Sequence, residues 1–160
     1  MSSKQKTVKM INIRELAEFD YWANNEVIHY LTSQECTDEK PLKIFSHILN
    51  AYGLWFERIN KNPQKTGVWS ILGVEELKSK NEEYHQIYLK ILTENESDPD
   101  KNITYTNTMG ETFTSAVKDI LIHLLNHSSY HRGQVIQLLS GYGLKFPYID
   151  YIHYKRKIKK

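Results

Sequence analysis

Hydrophobic positions recur at helical spacing in four segments of the chain. The segments run from about Asn12 to Leu31, from Pro41 to Asn60, from Val74 to Leu92 and from Ser115 to Leu139. The second segment is apolar around most of its girth and is therefore expected to be the most buried. Helices of this length can bury their apolar faces only against one another, so the pattern predicts an all-α fold, a four-helix bundle.

The connections between the predicted helices are long. About nine residues join the first two helices, about thirteen join the second and third, and about twenty-two join the third and fourth. Connections of this length are typical of a bundle with a crossover or of functional loops. The last one continues as ITYTNTMGETFT, whose partial alternation around Met109 and Gly110 predicts a short hairpin before the fourth helix. We expect a single domain over 1–160, with frayed basic ends at 1–11 and 154–160.

Composition excludes several kinds of protein. Cys36 is the only cysteine, which excludes a disulfide framework or a cysteine-based zinc site within one chain. The opening MSSKQKTVKMINIREL has no apolar run, so we expect no signal peptide. The longest stretch without charge, 44–56, is shorter than the roughly 20 residues of a membrane-spanning helix. These features favour a cytoplasmic protein without membrane association.

Charge is distributed unevenly along the chain. The formal net charge is +2, but eight basic residues lie at the two ends, and 11–154 carries 13 basic against 19 acidic residues, a charge of −6. A basic tail on an acidic body is usually a solvated end. Nucleic acid is therefore an unlikely partner, although the terminal KRKIKK would suit one.

Three histidines recur at every fourth position in the stretch HLLNHSSYHRGQ. On a helical wheel His127 and His131 lie in line with the apolar stripe of the fourth helix, and His123 lies on its flank. Two inward imidazoles one turn apart can chelate one divalent ion. They can equally be core residues that hydrogen-bond to neighbours. The spacing leaves both interpretations open.

A third metal ligand would have to come from another helix. His85 is flanked by charged residues and is expected to face water, and His153 lies in the basic tail. His29 lies near the end of the first helix. His47 lies in the middle of the most apolar segment, level with the middle of the bundle, although the helical wheel places it only at the edge of the apolar arc.

Several segments together resemble the DinB/YfiT-like family. These are FDYWANNEVI in the first helix, HILNAYGLWFERI in the second, LIHLLNHSSYHRGQVIQLL in the fourth and PYIDYIHY after it. The resemblance implies an up-down-down-up bundle with a long crossover and one divalent metal held by three histidines, which match His47, His127 and His131. It also implies a homodimer. Some relatives are S-transferases or isomerases that use a small cellular thiol.

Other residues are candidates for the surroundings of this site. His123 matches a frequent histidine of the family motif and is either a pocket residue or an ordinary surface or core histidine. Trp55 lies two turns beyond the second-helix ligand and either lines a pocket or packs in the core. Tyr130 and Gln134 flank the ligand pair, and Arg132 is expected to turn away into an ion pair or a dimer contact.

The chemistry of three neutral imidazoles suggests two classes of function. Because three neutral imidazoles add no negative charge, a divalent ion bound by them keeps its full charge and has an open coordination position. Zn and Ni are the first candidates for this ion. At the open position the pKa of a water falls to roughly 7, and a thiol ionises. This predicts a metal-dependent enzyme on a small molecule, of the thiol S-transferase or hydrolase type, with any thiol supplied as cosubstrate. The alternative is a non-catalytic, metal-stabilised bundle that binds a ligand or a partner.

Overall fold

A computed structural model describes residues 3–33, 38–98 and 100–158, with side chains from residue 13 onward. Cys36, predicted to lie in the first connection, falls outside the described residues. In the described part of the chain the elements are α1 (Ser3–Thr32), α2 (Glu39–Ile59), α3 (Leu77–Glu94), β1 (Asn102–Thr106), β2 (Thr112–Ala116), α4 (Val117–Gly141) and α5 (Tyr151–Lys157). The four predicted helices correspond to α1–α4, which confirms the all-α bundle.

The predicted hairpin is also confirmed. Strands β1 and β2 pair antiparallel, with Ile103 opposite Ser115 and Thr106 opposite Thr112. The turn between them contains Gly110 at φ +84°, a backbone conformation that favours glycine. Because β2 ends at Ala116, helix α4 begins at Val117 rather than at Ser115.

Helices extend farther toward both chain ends than the hydrophobic pattern predicts. Helix α1 begins at Ser3 rather than near Asn12, since residues 3–11 contain neither glycine nor proline to stop it. At the other end, 154–157 belong to α5, which the hydrophobic pattern did not reveal. Asp150 caps α5 by accepting from the backbone N–H of His153 at 2.7 Å. The ring of Tyr154 packs 5.7 Å from that of Phe19.

Helices α1 and α3 run antiparallel. Arg14, early in α1, donates to Thr93 near the end of α3 at 2.8 Å. Asn24, farther along α1, instead donates to Asn81 near the start of α3 at 3.3 Å. The start of α3 therefore lies at the same end of the bundle as the end of α1.

Helices α2 and α4 are also antiparallel. The ring of His47, early in α2, lies 4.8 Å from that of His131, late in α4. The ring of Trp55, about two turns farther along α2, lies 5.8 Å from that of His123, near the start of α4. Side chains near the middle of α2 therefore face the predicted ligand pair of α4.

The crossover, residues 60–76, runs back along α2 toward its start. The Asn50 amide donates to the carbonyl of Ser70 at 2.7 Å, and the Ser46 hydroxyl accepts from the backbone N–H of Leu72 at 3.0 Å. The crossover thus returns the chain to the end of the bundle where α2 begins, and α3 starts there. This gives the up-down-down-up order expected from the resemblance.

The core lies between α1, α2, α3 and α4. Its fully buried side chains are mainly aliphatic and aromatic, and the largest include Phe45, Ile48, Leu49, Leu77, Tyr88, Leu92, Leu121, Leu124 and Leu139. None of the helices in the described parts of the chain combines the length and the hydropathy that a membrane span requires. Helix α2 contributes the longest buried run, as its sequence predicts, and it carries buried polar groups within that run.

Candidate metal centre

The buried polar residues of α2 face the crossover. Ser46, His47 and Asn50 are each less than a tenth exposed, and each hydrogen-bonds to the backbone of residues 68–72. Polar groups in an apolar helix need such partners, because an unpaired buried polar group costs about 1–3 kcal/mol. The crossover therefore explains why His47 lies at the edge of the apolar arc: one side of its ring meets the loop and the other meets α4.

The imidazoles of His47, His127 and His131 converge. One ring nitrogen from each lies within 4.8 Å of those from the other two. The ring centroids are 4.9 Å apart for His47 and His127, 4.8 Å for His47 and His131, and 4.5 Å for His127 and His131. The predicted ligand set is thus brought together from the middle of α2 and from successive turns of α4.

The spacing of the ring nitrogens fits a metal ion. The Nε2 atoms of His47 and His127 are 3.1 Å apart. Two nitrogens that bind one tetrahedral zinc at about 2.0–2.1 Å are separated by about 3.3 Å. A hydrogen bond between two imidazoles would account for this pair but not for the approach of His131, whereas one divalent ion accounts for the convergence of all three rings. The geometry and the donor set therefore fit a metal.

The outer nitrogens of two of these rings are held by hydrogen bonds. The Nδ1–H of His47 donates to the carbonyl of Val68 at 3.0 Å, and the Nδ1–H of His131 donates to Oε1 of Gln134 at 2.8 Å. A proton on Nδ1 leaves the lone pair of Nε2 free and fixes the direction of the ring. Histidine ligands of metals are commonly held in this way. Gln134, predicted to flank the ligand pair, thus directly orients one of its rings.

Burial favours the neutral form of two of the converging imidazoles. Burial, followed by the charges of the neighbouring imidazoles, lowers the pKa of His127 to about 4. Burial also lowers the pKa of His47, against a raising effect of the Val68 carbonyl. Only neutral imidazole binds a metal, so at pH 7 these two rings are in the form that coordinates.

Two aromatic side chains cover the outer side of the cluster. The indole of Trp69 stacks on His47, with ring centroids 3.8 Å apart and planes 5° from parallel, and remains 55% exposed. The ring of Tyr130 meets that of His131 edge-on at 5.0 Å and is 66% exposed. Tyr130 is among the residues predicted to surround the site, whereas Val68 and Trp69 were not predicted. The apolar stretch VWSIL in this connection was the available signal.

His123 and Trp55 form the inner wall of a pocket beside the cluster. The His123 ring lies 5.6 Å from that of His127 and 5.8 Å from that of Trp55. The pocket has a volume of about 270 Å³, and Tyr105, Ser115, Asp119 and Ile120 complete its lining. Among the described groups, His123 is not part of the converging set, which agrees with its predicted position on the flank.

The remaining histidines of the described chain lie elsewhere. His85 does not face water as expected: its side chain is 8% exposed, its Nε2 lies 3.3 Å from Oε2 of Glu18, and its ring stacks on that of Tyr21 with centroids 4.4 Å apart. The reason is that α3 packs on α1 over this turn. His29 contacts Tyr30, and His153 lies on α5, so neither contributes to the centre.

Comparison with known proteins agrees with this architecture. The model of the DinB family matches residues 39–160, which include α2, α3, α4 and all three converging histidines. No curated protein and no solved structure matches the chain. Since the matched region covers well over half of the 160 residues, the chain belongs to the DinB family.

Proposed function

We propose that this protein binds one divalent metal ion through His47, His127 and His131 and acts as a metal-dependent enzyme on a small molecule. The observation that carries the proposal is the convergence of three imidazoles, two of them directed by hydrogen bonds on their outer nitrogens. When bound, a divalent ion supplies Lewis acidity to a water or a thiol.

The charge of the donor set supports catalysis over a purely structural metal. Three imidazoles contribute no negative charge, and no carboxylate or thiolate joins the group among the described side chains. Structural zinc sites usually have four protein ligands, whereas catalytic ones have three and keep a position open. Zinc and nickel both suit imidazole ligands, and we take them as the first candidates.

The pocket beside His123 supports a small-molecule substrate. Its volume of about 270 Å³ approaches the size range of small-ligand sites, and the ring of its lining residue His123 lies 5.6 Å from that of His127. Trp55 and Tyr105 meet edge to face at 4.8 Å and form an aromatic corner against which the apolar part of a substrate can pack. His123 then lies between the substrate and the cluster.

The proposed reaction is thiol transfer or hydrolysis. In either case His47, His127 and His131 hold the metal, and Val68 and Gln134 fix the directions of two of the rings. The pocket residues orient the substrate and exclude part of the water. A low-molecular-weight thiol is the proposed cosubstrate of the transfer reaction.

Cobalt substitution tests the open position directly. Cobalt-loaded protein should develop a sulfur-to-metal charge-transfer band when a small thiol is added, and the band should strengthen as pH rises toward the thiol pKa, because the thiolate is the ligand. His131→Ala should show no band, whereas the exposed His29→Ala should behave as wild type. A spectrum that no thiol alters would refute the proposed thiol transfer. A cobalt ion whose coordination positions are all filled by protein ligands would refute the proposed catalysis.

A further inference from the structure

A buried polar network adjoins the candidate metal centre without belonging to it. Ser128 and Arg132 directly follow His127 and His131 in α4. One residue along a helix corresponds to a turn of about 100°, so these two side chains leave α4 on a different face from the ligands. That face meets α1, where both side chains are almost completely buried.

Arg132 is the centre of this network. Its Nη1 donates to Oδ1 of Asp20 at 2.6 Å, to Oδ1 of Asn24 at 2.8 Å and to the hydroxyl of Ser128 at 3.1 Å. The side chains of Arg132 and Asp20 are only 4% and 7% exposed. Of the ion pair and the dimer contact expected for Arg132, the structure shows the ion pair, inside the bundle.

The network reaches all four long helices. The hydroxyl of Tyr52 on α2 donates to Oδ2 of Asp20 at 2.9 Å, and Asn24 on α1 donates to Asn81 on α3 at 3.3 Å. Burial, followed by the negative charge of Asp20, raises the pKa of Tyr52 well above its ordinary value, so the phenol stays protonated and donates. The rotation of α4 is therefore fixed against α1 directly, and against α2 and α3 through Asp20 and Asn24.

Such a network contributes more to geometry than to net stability. A buried ion pair often gains little over apolar replacements, because removing the charges from water offsets their attraction. The rotation of α4 about its own axis, in contrast, strongly affects the position of its metal ligands. A ring nitrogen about 6 Å from the helix axis moves by about 1 Å when the helix turns by about 10°. Sites of this kind need positions held within roughly 0.5 Å.

We propose that Arg132, held by Asp20, is a positioning residue for the metal ligands: it sets the rotation of α4 so that His127 and His131 point at His47. The inference rests on the proposed function, since the ligands it positions are those of the proposed metal. Arg132 directly follows the ligand His131. Ser128, which directly follows the ligand His127, lies on the same face of α4 and supports Arg132 by accepting its hydrogen bond.

The test compares two double variants in the full-length protein. Asp20→Asn with Arg132→Gln removes both charges and keeps hydrogen-bonding groups in place. Arg14→Gln with Glu96→Gln makes the same kind of change at an exposed ion pair of α1, whose N···O distance is 3.6 Å. The readouts are cobalt affinity by competition with a chelator, the visible d–d spectrum of the cobalt protein, and the melting temperature without metal.

The buried double variant should lose about 10–100-fold in cobalt affinity, as observed when groups that orient ligands are removed, and should change the d–d spectrum. The exposed variant should change neither. Arg132→Lys keeps one nitrogen in reach of Asp20 and should retain the wild-type spectrum and an affinity within about threefold. A folded buried double variant with wild-type affinity and spectrum would overturn the inference. So would an Arg132→Lys protein that melts normally but binds as weakly as the double variant.

A measurement without metal separates this inference from the proposed function. The His47 and His127 rings are close enough for a proton–proton Overhauser effect, since their Nε2 atoms are 3.1 Å apart. The effect should be equally strong in metal-free wild type and in Arg132→Lys. It should be several-fold weaker in the buried double variant, because it falls with the sixth power of the distance between the protons. A wild type that binds no cobalt would refute the proposed function. The inference would still fail if the Overhauser effect kept its wild-type strength in the double variant.

Discussion

At the scale of single residues, the direction of each imidazole depends on what its outer nitrogen contacts. His47 donates to a main-chain carbonyl, which no side-chain substitution can remove, whereas His131 donates to the side chain of Gln134. These partners hold the converging nitrogens before any ion arrives, so less ordering remains to be done on binding.

Gln134 gives the cleanest test of this preorientation. Gln134→Leu removes the acceptor of the His131 Nδ1 proton and frees the ring to turn, so we expect metal affinity to fall about 10–100-fold. A chromophoric chelator in competition measures the change. Gln137 lies on the same helix and is exposed, so Gln137→Leu is the matched control. Equal affinities in the two variants would show that the Gln134 contact does not orient the ligand.

The pKa of His127 gives a prediction for stability against pH. Its value of about 4 in the folded chain lies below the ordinary value of 6.5. Below pH 6.5 the unfolded chain therefore binds a proton that the folded chain does not. The contribution to stability is complete above pH 6.5 and is lost progressively as pH falls toward 4.

Thermal melting of metal-free protein between these pH values measures the effect. His127→Gln should make the decline of the melting temperature with falling pH less steep than in wild type. His29→Gln, which replaces an exposed histidine away from the centre, is the matched control. Parallel curves for wild type and His127→Gln would contradict the predicted burial of this ring.

The residues of the site differ in how far the sequence alone reveals them. His127 and His131 follow from spacing on one helix, because both lie on its apolar stripe. His47 is only weakly indicated by periodicity and needed the family resemblance. Val68 and Trp69 could not be predicted, because the path of a connection is set by tertiary contacts. Here these are the hydrogen bonds between α2 side chains and the loop backbone.

At the scale of elements, the crossover is part of the site rather than a simple connection. It supplies the carbonyl that directs His47 and the indole that stacks on it. The Glu57 carboxylate of α2 also accepts from the backbone of Lys65 at 3.1 Å and from the hydroxyl of Thr66 at 2.8 Å. The crossover is therefore fixed at several points along α2, which explains how a loop can hold a ring in place.

Trp69 should slow the escape of the metal. Trp69→Ala removes the ring that covers His47, and we expect release of cobalt to a chelator to accelerate several-fold, measured by stopped-flow absorbance. The melting temperature should change little, because the indole is 55% exposed. Val68→Ala keeps the carbonyl that His47 uses and serves as the control. Identical release rates for the two variants would show that the indole does not cover the ion.

Helix α5 should stabilise the bundle without affecting the centre. Tyr154 lies 5.7 Å from Phe19 and 5.4 Å from Trp22, measured between ring centroids, on the α1 side of the molecule. Aromatic pairs of this kind contribute about 0.5–1.5 kcal/mol each beyond burial. Tyr154→Ala should therefore lower the free energy of unfolding by roughly 2 kcal/mol in urea titration and leave metal affinity unchanged. Tyr148→Ala, at a side chain 78% exposed, is the control, and equal losses in both would contradict specific packing.

At the scale of the whole molecule, the apolar pattern of the sequence predicts the helical bundle but not the structure near the two ends of the chain. The apolar pattern located α2, α3 and α4 within about three residues, because their stripes are continuous. Helix α5 has no buried residue and no long stripe, so its existence depends on the Asp150 cap and on aromatic contacts with α1. The local sequence of α5 does not show which distant part of the chain its aromatic residues will contact.

The association state remains a prediction at this scale. We expect a homodimer built on faces of α1 and α4, where Leu16 is 41%, Ile122 40% and Tyr130 66% exposed. Light scattering should give a mass about twice the 18.9 kDa of one chain, and Ile122→Glu should shift it toward one chain. A single-chain mass for wild type at micromolar concentration would refute the dimer.

The central claim is that three histidines hold one divalent ion, and elemental analysis tests it most directly. Protein purified without a histidine tag, and given zinc or nickel followed by removal of the excess, should retain about one ion per chain. His47→Ala and His127→Ala should each retain far less, since two imidazoles bind much more weakly than three, while His123→Ala should keep the wild-type stoichiometry. Wild type without stoichiometric metal, or equal losses from His123→Ala and His127→Ala, would contradict the assignment of the site.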